Sequence, residues 1–325
     1  MPISKKILVI SIKILILLLT FGFVYSKLTN PESLAKLKAF ANTPLDGRAI
    51  SYFILVGYLA YINLLLETLK WHYLVKKVEN ISWKRTIESL LAGLTLAAFT
   101  PSRIGEFGGR VLYLAPENRI GGVLAMGVGS FSQMMVTNVM GAIGLVFFAG
   151  IFVPMSKVVL GAIAVAGILF SAGMVLLLIN IRWFYIILDS FPFLHKFKKN
   201  FRILLRYNRK ELLTVFGMSF LRYVVFSMQY YLLVNLFIPQ VTYPMSMVMI
   251  SVIYMVQSIL PTFAFFDIGI RGAAATYFFG FLVGDVETVN LLAAAFGVWL
   301  LNLIIPSLLG VYFVLKANFF GATTD

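Results

Sequence analysis

Cysteine is absent from the 325-residue chain, and histidine occurs only twice, at His72 and His195. The lack of cysteine excludes disulfides, thiol catalysis and cysteine-ligated metal or iron–sulfur centres. The two histidines lie in basic stretches without metal-ligand spacing, so we expect both to be solvated interfacial side chains. The G-x-x-x-x-G-K-[ST] motif of P-loop nucleotide sites is also missing. We therefore expect neither a metal nor another cofactor.

Charge is scarce as well. Asp, Glu, Lys and Arg make up 12% of the chain, whereas hydrophobic residues make up 60%. A soluble domain carries about twice that share of charged residues. The composition therefore predicts an all-α polytopic membrane protein, with residues 1–325 forming a single membrane domain. The net charge of +14 does not indicate a nucleic-acid partner, because the basic residues concentrate in short loops beside apolar runs.

Six apolar segments are long enough to be full membrane spans. We predict them at 7–25, 49–69, 121–151, 158–180, 212–237 and 288–315. The first resembles a signal peptide, but it carries Lys13 and lacks a small-residue cleavage site, which favours a retained helix. The third has small residues at helical spacing. Close helix packing is the favoured explanation for them, and a cavity wall is the alternative.

A further apolar stretch, residues 89–115, is broken in its middle by a charged segment. Pro101 should end the incoming helix at Thr100, because proline disfavours helix in the residue before it. The apolar runs on either side, 90–99 and 111–115, are each too short to cross a bilayer. The glycines that let the backbone turn and pack closely are Gly105, Gly108 and Gly109. A charged break at membrane depth predicts a transporter-type binding site.

The same arrangement recurs in residues 245–283, where Pro261 breaks the apolar stretch. Glu106–Arg110 and Asp267–Arg271 both have the pattern acid-x-Gly-x-Arg, 161 residues apart; the second contains Gly269 and is followed directly by Gly272. The repetition predicts two re-entrant helical hairpins within an inverted repeat of roughly 49–151 and 212–315. The alternative is two ordinary helix–loop–helix corners with interfacial charges.

Ionisable residues at the two elbows, and one within a span, are the candidate site. They are Arg103, Glu106, Arg110, Arg222, Asp267 and Arg271. An isolated arginine at bilayer depth is costly, so Arg222 should face protein and a counter-charge. Four arginines against two acids favour an anionic headgroup, since guanidinium groups suit phosphate oxygens.

Loop charge predicts the topology. If each hairpin returns to the side from which it started, loops 70–88 and 181–211 and both termini are cytoplasmic. Segment 26–48 does not fit this topology, because it would be external although it carries four basic residues. Segment 181–211 carries eight basic residues with phenylalanines at helical spacing, which predicts an amphipathic helix on an anionic leaflet. A docking site for a partner protein is the alternative.

Two motifs carry a resemblance to a known family. Thr100-Pro101-Ser102-Arg103-Ile104-Gly105-Glu106, followed by Arg110, and the later Pro261 with Gly269-Ile270-Arg271-Gly272 resemble the membrane domain of lysylphosphatidylglycerol synthases and of stand-alone, flippase-like relatives. The resemblance covers nearly the whole chain. It implies a domain that moves an aminoacylated lipid across the bilayer. The chain has no room for the cytosolic transferase that makes this lipid, so lysyl transfer is not expected.

These observations predict translocation of an anionic phospholipid or a lipid-linked headgroup in the inner (cytoplasmic) membrane, without enzyme activity. Two alternatives stay open. Glu106 and Asp267 could be the acid and base of an enzyme that acts on a lipid headgroup. The chain could instead be a non-transporting scaffold for a partner enzyme. The sequence is also compatible with a homo-oligomer.

Overall fold

A computed structural model of the chain describes residues 46–191, 201–259, 264–284 and 288–317, together with isolated positions between residues 11 and 38. The regular structure of these residues is helical. The α-helices are, in chain order, α1 (Gly47–Val75), α2 (Trp83–Phe99), α3 (Gly105–Val111), α4 (Arg119–Phe152), α5 (Lys157–Ile179), α6 (Arg182–Asp189), α7 (Arg209–Phe237), α8 (Tyr243–Ile259), α9 (Ala264–Val283), α10 (Thr288–Trp299) and α11 (Ile305–Lys316). The same ranges include short 3-10 turns at Pro101–Arg103, Pro116–Asn118 and Arg202–Arg206, and a π-helical turn at Leu300–Ile304.

Five described segments are long and apolar enough to cross a membrane. They are α1, residues 116–152 with α4, α5, α7, and residues 288–316, in which α10 and α11 are joined by the π-helical turn. These five coincide with predicted spans, and the predicted first span, 7–25, lies outside the continuously described residues. The chain is an all-α polytopic membrane protein, as its composition predicts.

Helix α1 is longer than predicted. The predicted span ended at residue 69, but α1 continues to Val75, so Lys70, Trp71 and His72 are helical and buried rather than part of a solvated loop. Trp71 and His72 find partners on α2. The Trp71 indole donates to Ser89 Oγ at 2.9 Å, and the His72 ring stacks on Trp83 with centroids 3.7 Å apart. The expectation of a solvated His72 was therefore wrong, and His195 lies outside the described residues.

Helix α2 ends at Phe99 with Thr100 as its C-cap, as Pro101 predicts. The chain then turns through Ser102 and Arg103, which both have positive φ values, 46° and 58°. Glycine was expected to make this turn, and two non-glycine residues in the left-handed region are strained by about 1–2 kcal/mol each. The strain is concentrated at the break itself.

The glycines after the turn serve close packing instead. A Cβ on Gly105 would overlap the Leu96 carbonyl, and one on Gly109 would lie 2.6 Å from the Ala92 oxygen. Helix α3 therefore folds back antiparallel onto α2. The expected apolar half-helix at 111–115 was wrong in position, because α3 already begins at Gly105, where the amide donates to Thr100 Oγ1 at 2.8 Å.

The start of α2 and the end of α3 lie at the same end of the molecule. Glu79, just before α2, accepts hydrogen bonds from the Ala115 amide and from Asn118 Nδ2, both at 2.9 Å. The Arg206 guanidinium donates to the Lys77 carbonyl at 3.0 Å, which places the start of α7 there too. Tyr113 donates to the Phe313 carbonyl at 2.8 Å, so the last helix ends nearby.

The second hairpin, α8 and α9, opens toward the opposite end. Arg271 donates to Gln257 Oε1 at 3.2 Å across the pair. Near the far end of α9, Phe281 packs edge-on against Phe152, the last residue of α4, with centroids 5.7 Å apart. The second hairpin also reaches the first one, because α9 contacts both α2 and the Pro101–Arg103 turn.

Residues 181–211 do not form one continuous amphipathic helix. Helix α6 ends at Asp189, Arg202–Arg206 is a 3-10 turn, and the backbone at residues 207 and 208 is extended before α7 begins. Phe201 and Leu204 are buried against the protein, at 5% and 4% exposure. The predicted helix was thus wrong over its described part, because its apolar side chains pack on the helix bundle.

Candidate functional site

Glu67, near the basic end of α1, is the centre of a buried cluster of charges. One carboxylate oxygen accepts from Arg110 Nη2 at 2.8 Å. The other lies 2.9 Å from Lys70 Nζ and 2.9 Å from Arg222 Nη1. Residues of three helices, α1, α3 and α7, are therefore joined through one carboxylate.

Glu106 is the second acid of the cluster. It forms a short ion pair with Arg110, one helical turn later on α3, and another with Arg103 Nη2 at 2.9 Å. The acid and the arginine of the acid-x-Gly-x-Arg motif thus pair with each other, since residues four apart in a helix face the same side. Arg110 is 1% exposed and bridges both carboxylates, and its guanidinium lies over the Trp71 ring at 5.6 Å.

Arg222 continues from this cluster into a ladder of amide side chains. Its Nε donates to Asn63 Oδ1 at 2.7 Å, and Asn63 Nδ2 donates to Asn302 Oδ1 at 2.7 Å. Asn302 Nδ2 then donates to Gln229 Oε1 at 2.7 Å, and Gln229 donates to the Val56 carbonyl at 3.1 Å. The ladder fixes the position of a cation that would otherwise be costly at this depth.

A cavity of about 460 Å³ lies over the cluster, between the two hairpins, α4 and α7. Its charged lining residues come from four helices and from the first elbow: Glu67, Lys70, Arg103, Glu106, Arg222 and Arg271. Aromatic and apolar side chains complete the wall, among them Phe107, Met126, Phe226, Tyr254 and Trp299. Arg103 has 42% of its side chain exposed, so the cavity is open at the elbow.

The structure brings most of the predicted residues together. Arg103, Glu106, Arg222 and Arg271 line one cavity, and Arg110 lies behind it as the shared partner of both acids. The Asp267 side chain and Pro261 lie outside the described residues. Among the predicted elbow glycines, Gly105, Gly109 and Gly272 are tightly packed, whereas Gly108 and Gly269 have open space where a Cβ would stand.

Sequence reasoning missed Glu67 and Lys70, which it placed at the end of a span, and the amides Asn63 and Asn302. A signal for three of them exists. Asn63, Glu67 and Lys70 stand at positions i, i+4 and i+7 of an otherwise apolar helix, which places them on one face. Asn302 sits in the π-helical turn, a local irregularity that is frequent at functional sites and that hydrophobic patterning does not reveal.

The small residues of α4 serve both purposes that the sequence left open. Ser130 and Thr137, with Gln133 between them, line the cavity. Gly141 and Gly144, further along α4, are packed against Met255 and Ser251 of α8 with no room for a Cβ. The helix is therefore a cavity wall in its first half and a packing surface in its second half.

An anion is the kind of ligand that this arrangement can bind. Arginine guanidinium groups and a lysine face a cavity in which part of the wall is aromatic, and such groups bind phosphate oxygens with charge-assisted hydrogen bonds. Within the described ranges, histidines and acids do not form a group of three that could hold a metal.

Comparison with known proteins identifies one family. The family model described as lysylphosphatidylglycerol synthase TM region matches residues 8–310. A search of curated proteins finds no match.

Proposed function

The chain belongs to the family of the lysylphosphatidylglycerol synthase TM region, and on that premise we propose that it translocates a membrane lipid with an anionic headgroup. The observation that carries the proposal is the single cavity lined by arginines of both elbows, Arg103 and Arg271, together with Arg222. A lipid transporter needs a polar place for the headgroup within a bundle of membrane helices. This cavity is of that kind.

The headgroup site consists of Arg103, Glu106, Arg222 and Arg271, with Arg110 as the buried support and Asp267 as a further member. Among the lining residues that the structure describes, four are cationic and two are anionic. The aromatic and apolar part of the wall, including Phe107 and Trp299, provides a route for the acyl chains. Such a site holds the phosphate by its oxygens and leaves the tails in an apolar environment.

The membrane orientation follows from the same proposal. The end of the molecule that contains Glu79, Tyr113 and Arg206 is rich in lysine and arginine. We therefore place this end on the cytoplasmic side of the inner membrane. The two hairpins are then re-entrant from opposite sides and form the halves of an inverted repeat, 49–151 and 212–315. Both termini are cytoplasmic, and the basic residues of 181–211 face the anionic leaflet.

The test is lipid movement in vesicles. Purified protein is reconstituted into liposomes with fluorescent phosphatidic acid, phosphatidylglycerol or phosphatidylcholine, and the lipid accessible to an external quencher is followed with time. We expect at least one of the two anionic lipids to move faster than in protein-free vesicles. Arg222→Gln should lower this rate at least tenfold, because it removes a cavity cation, whereas Arg182→Gln, an exposed change on α6, should leave it unchanged.

Two results would contradict the proposal. Lipid movement no faster than in protein-free vesicles, over several lipids and an imposed pH gradient, would favour the scaffold. A chemically altered lipid, detected by mass spectrometry of the same vesicles, would favour the enzyme.

A further inference from the structure

The positive and negative charges of the cluster under the cavity do not cancel. Its members are linked to one another by ion pairs of 2.9 Å or less, and they are the cations Lys70, Arg103, Arg110 and Arg222 and the acids Glu67 and Glu106. Four positive charges therefore share two negative ones. Adding Arg271, which lines the same cavity, and Asp267, four residues before it on α9, leaves the excess at two positive charges.

The other acids whose side chains the structure describes lie outside the cluster. Glu79 holds Ala115 and Asn118 at the basic end, and Glu211 pairs with Lys77 at 2.6 Å at that same end. Asp46 caps the first turn of α1 at the opposite end. Glu88 lies in the second turn of α2, and Glu117 is exposed in the 3-10 turn before α4. None of these five lines the cavity.

An uncompensated charge is expensive in a buried site, typically several kcal/mol per ion. Arg110 and Lys70 are 1% and 3% exposed, and Arg222 has 14% of its side chain exposed, so water screens this excess only through the cavity. The site is therefore stabilised by a ligand that supplies the missing negative charge. A ligand with two such charges neutralises it, and a ligand with one does not.

Donors are available for such a ligand. The Nε atom of Arg103 is buried and has no hydrogen-bond partner, although the rest of its guanidinium is exposed to the cavity and paired with Glu106. Arg222 of α7 and Arg271 of α9 line the same cavity. Guanidinium groups from three directions can bind several oxygens of one phosphate or of two adjacent phosphates.

We infer that the ligand of this cavity carries two negative charges on its phosphate, as a phosphomonoester or a diphosphate does, and that the single charge of a phosphodiester is selected against. The inference rests on the proposed function and deepens it, because it names the headgroup class that the same site takes. A phosphomonoester carries close to two charges above its second pKa of about 6. Phosphatidylglycerol, a phosphodiester, carries one at any neutral pH.

The first experiment compares two lipids and one soluble ion at pH 8. Binding of phosphatidic acid, phosphatidylglycerol and inorganic pyrophosphate to the purified protein in detergent is measured by the shift of its thermal unfolding midpoint with ligand concentration. We expect phosphatidic acid to bind at least tenfold more tightly than phosphatidylglycerol. Equal affinities would overturn the inference.

Pyrophosphate distinguishes the lipid from a soluble source of the same chemistry. If pyrophosphate binds and phosphatidic acid does not, the two-charge site exists but the lipid function is wrong. If phosphatidic acid is preferred but does not move in the vesicle assay, translocation fails while the inference about the headgroup stands. The failures of the two proposals are thereby separated.

A second experiment changes the charge balance by one unit. Gln133 lines the cavity, and its Oε1 lies 3.5 Å from Lys70 Nζ. Gln133→Glu therefore reduces the excess to one positive charge, and we expect the preference for phosphatidic acid over phosphatidylglycerol to fall at least fivefold. Gln133→Met, a matched uncharged change, should keep the preference. A preference that is the same in both variants would show that charge balance does not set selectivity.

Discussion

At the scale of single residues, Arg110 explains how two carboxylates coexist in a buried site. It is 1% exposed and reaches both Glu67 and Glu106, which lie on different helices. The acids in turn hold Arg103 and Arg222 at the cavity. Arg110 is therefore the support of the site rather than its contact with the ligand, and its removal should affect stability before it affects selectivity.

Replacement of Arg110 tests this role. Arg110→Met should lower the free energy of unfolding by about 3–5 kcal/mol, because it leaves two buried carboxylates without their common partner. The measurement is thermal unfolding in detergent, with the exposed Arg182→Met as the control. A variant as stable as the control would show that water solvates the cluster.

The amide ladder makes a second prediction at this scale. Asn302→Leu keeps the size of the side chain but leaves the Asn63 amide without its acceptor and Gln229 without its donor. We expect a loss of about 1–3 kcal/mol of stability, because a buried polar group that loses its partner costs that much. Leu309→Ala, on the exposed face of α11, is the control. An unchanged melting midpoint in Asn302→Leu would mean that the ladder contributes nothing to the fold.

At the scale of elements, the turn of the first elbow and its close packing depend on different residues. Ser102 and Arg103 adopt left-handed conformations and make the turn, and the glycines of α3 allow it to lie against α2. The turn places Arg103 at the cavity mouth, and the close packing places Glu106 and Arg110 beside α1. Neither result would follow from a helix that simply ended at Pro101.

Two neighbouring glycines on α3 give a matched test. A Cβ on Gly109 would lie 2.6 Å from both the Ala92 oxygen and the Gly93 Cα, whereas Gly108 has nothing within 4 Å. Gly109→Ala should therefore destabilise the protein by about 1–3 kcal/mol through overpacking against backbone. Gly108→Ala should be neutral or stabilising by up to about 1 kcal/mol, because alanine is the better helix former. Equal effects of the two changes would exclude the close α2–α3 contact.

At the scale of the whole molecule, the bundle has further polar contacts at two opposite ends, beyond those of the buried cluster. One end contains Glu79, Tyr113 and Arg206, and the other contains Arg48, whose guanidinium donates to the Asn235 carbonyl and Oδ1 at 2.8 and 2.9 Å. The contact between Arg48 and Asn235 concerns segment 26–48, the basic segment that does not fit the predicted topology. The one member of it that the structure describes with its contacts, Arg48, is held by neutral oxygens at the end that we place outside.

Single cysteines in this cysteine-free chain test the orientation. Cysteines at Lys157 and Gln240, both exposed, should react with a membrane-impermeant thiol reagent added to intact cells. Cysteines at Glu117 and Lys210, exposed at the basic end, should react only after the membrane is opened. The readout is the fraction of each variant labelled before and after permeabilisation. External labelling at Glu117 would mean that the first hairpin crosses the membrane.

The sequence by itself determined the membrane class, most of the span positions and the break at Pro101, because these depend on local composition and on the chemistry of single residues. It also predicted the arginines of both elbows as site residues, since a charge in an apolar stretch is visible without a fold. Only the tertiary structure decided which acids they meet. Glu67 and Asn302 belong to helices far apart in the chain, and their importance comes from distances of 2.7–2.9 Å across the bundle. A pattern read along one helix carries no information about such contacts, and the excess of two positive charges becomes visible only when helices from the whole chain are packed around one cavity.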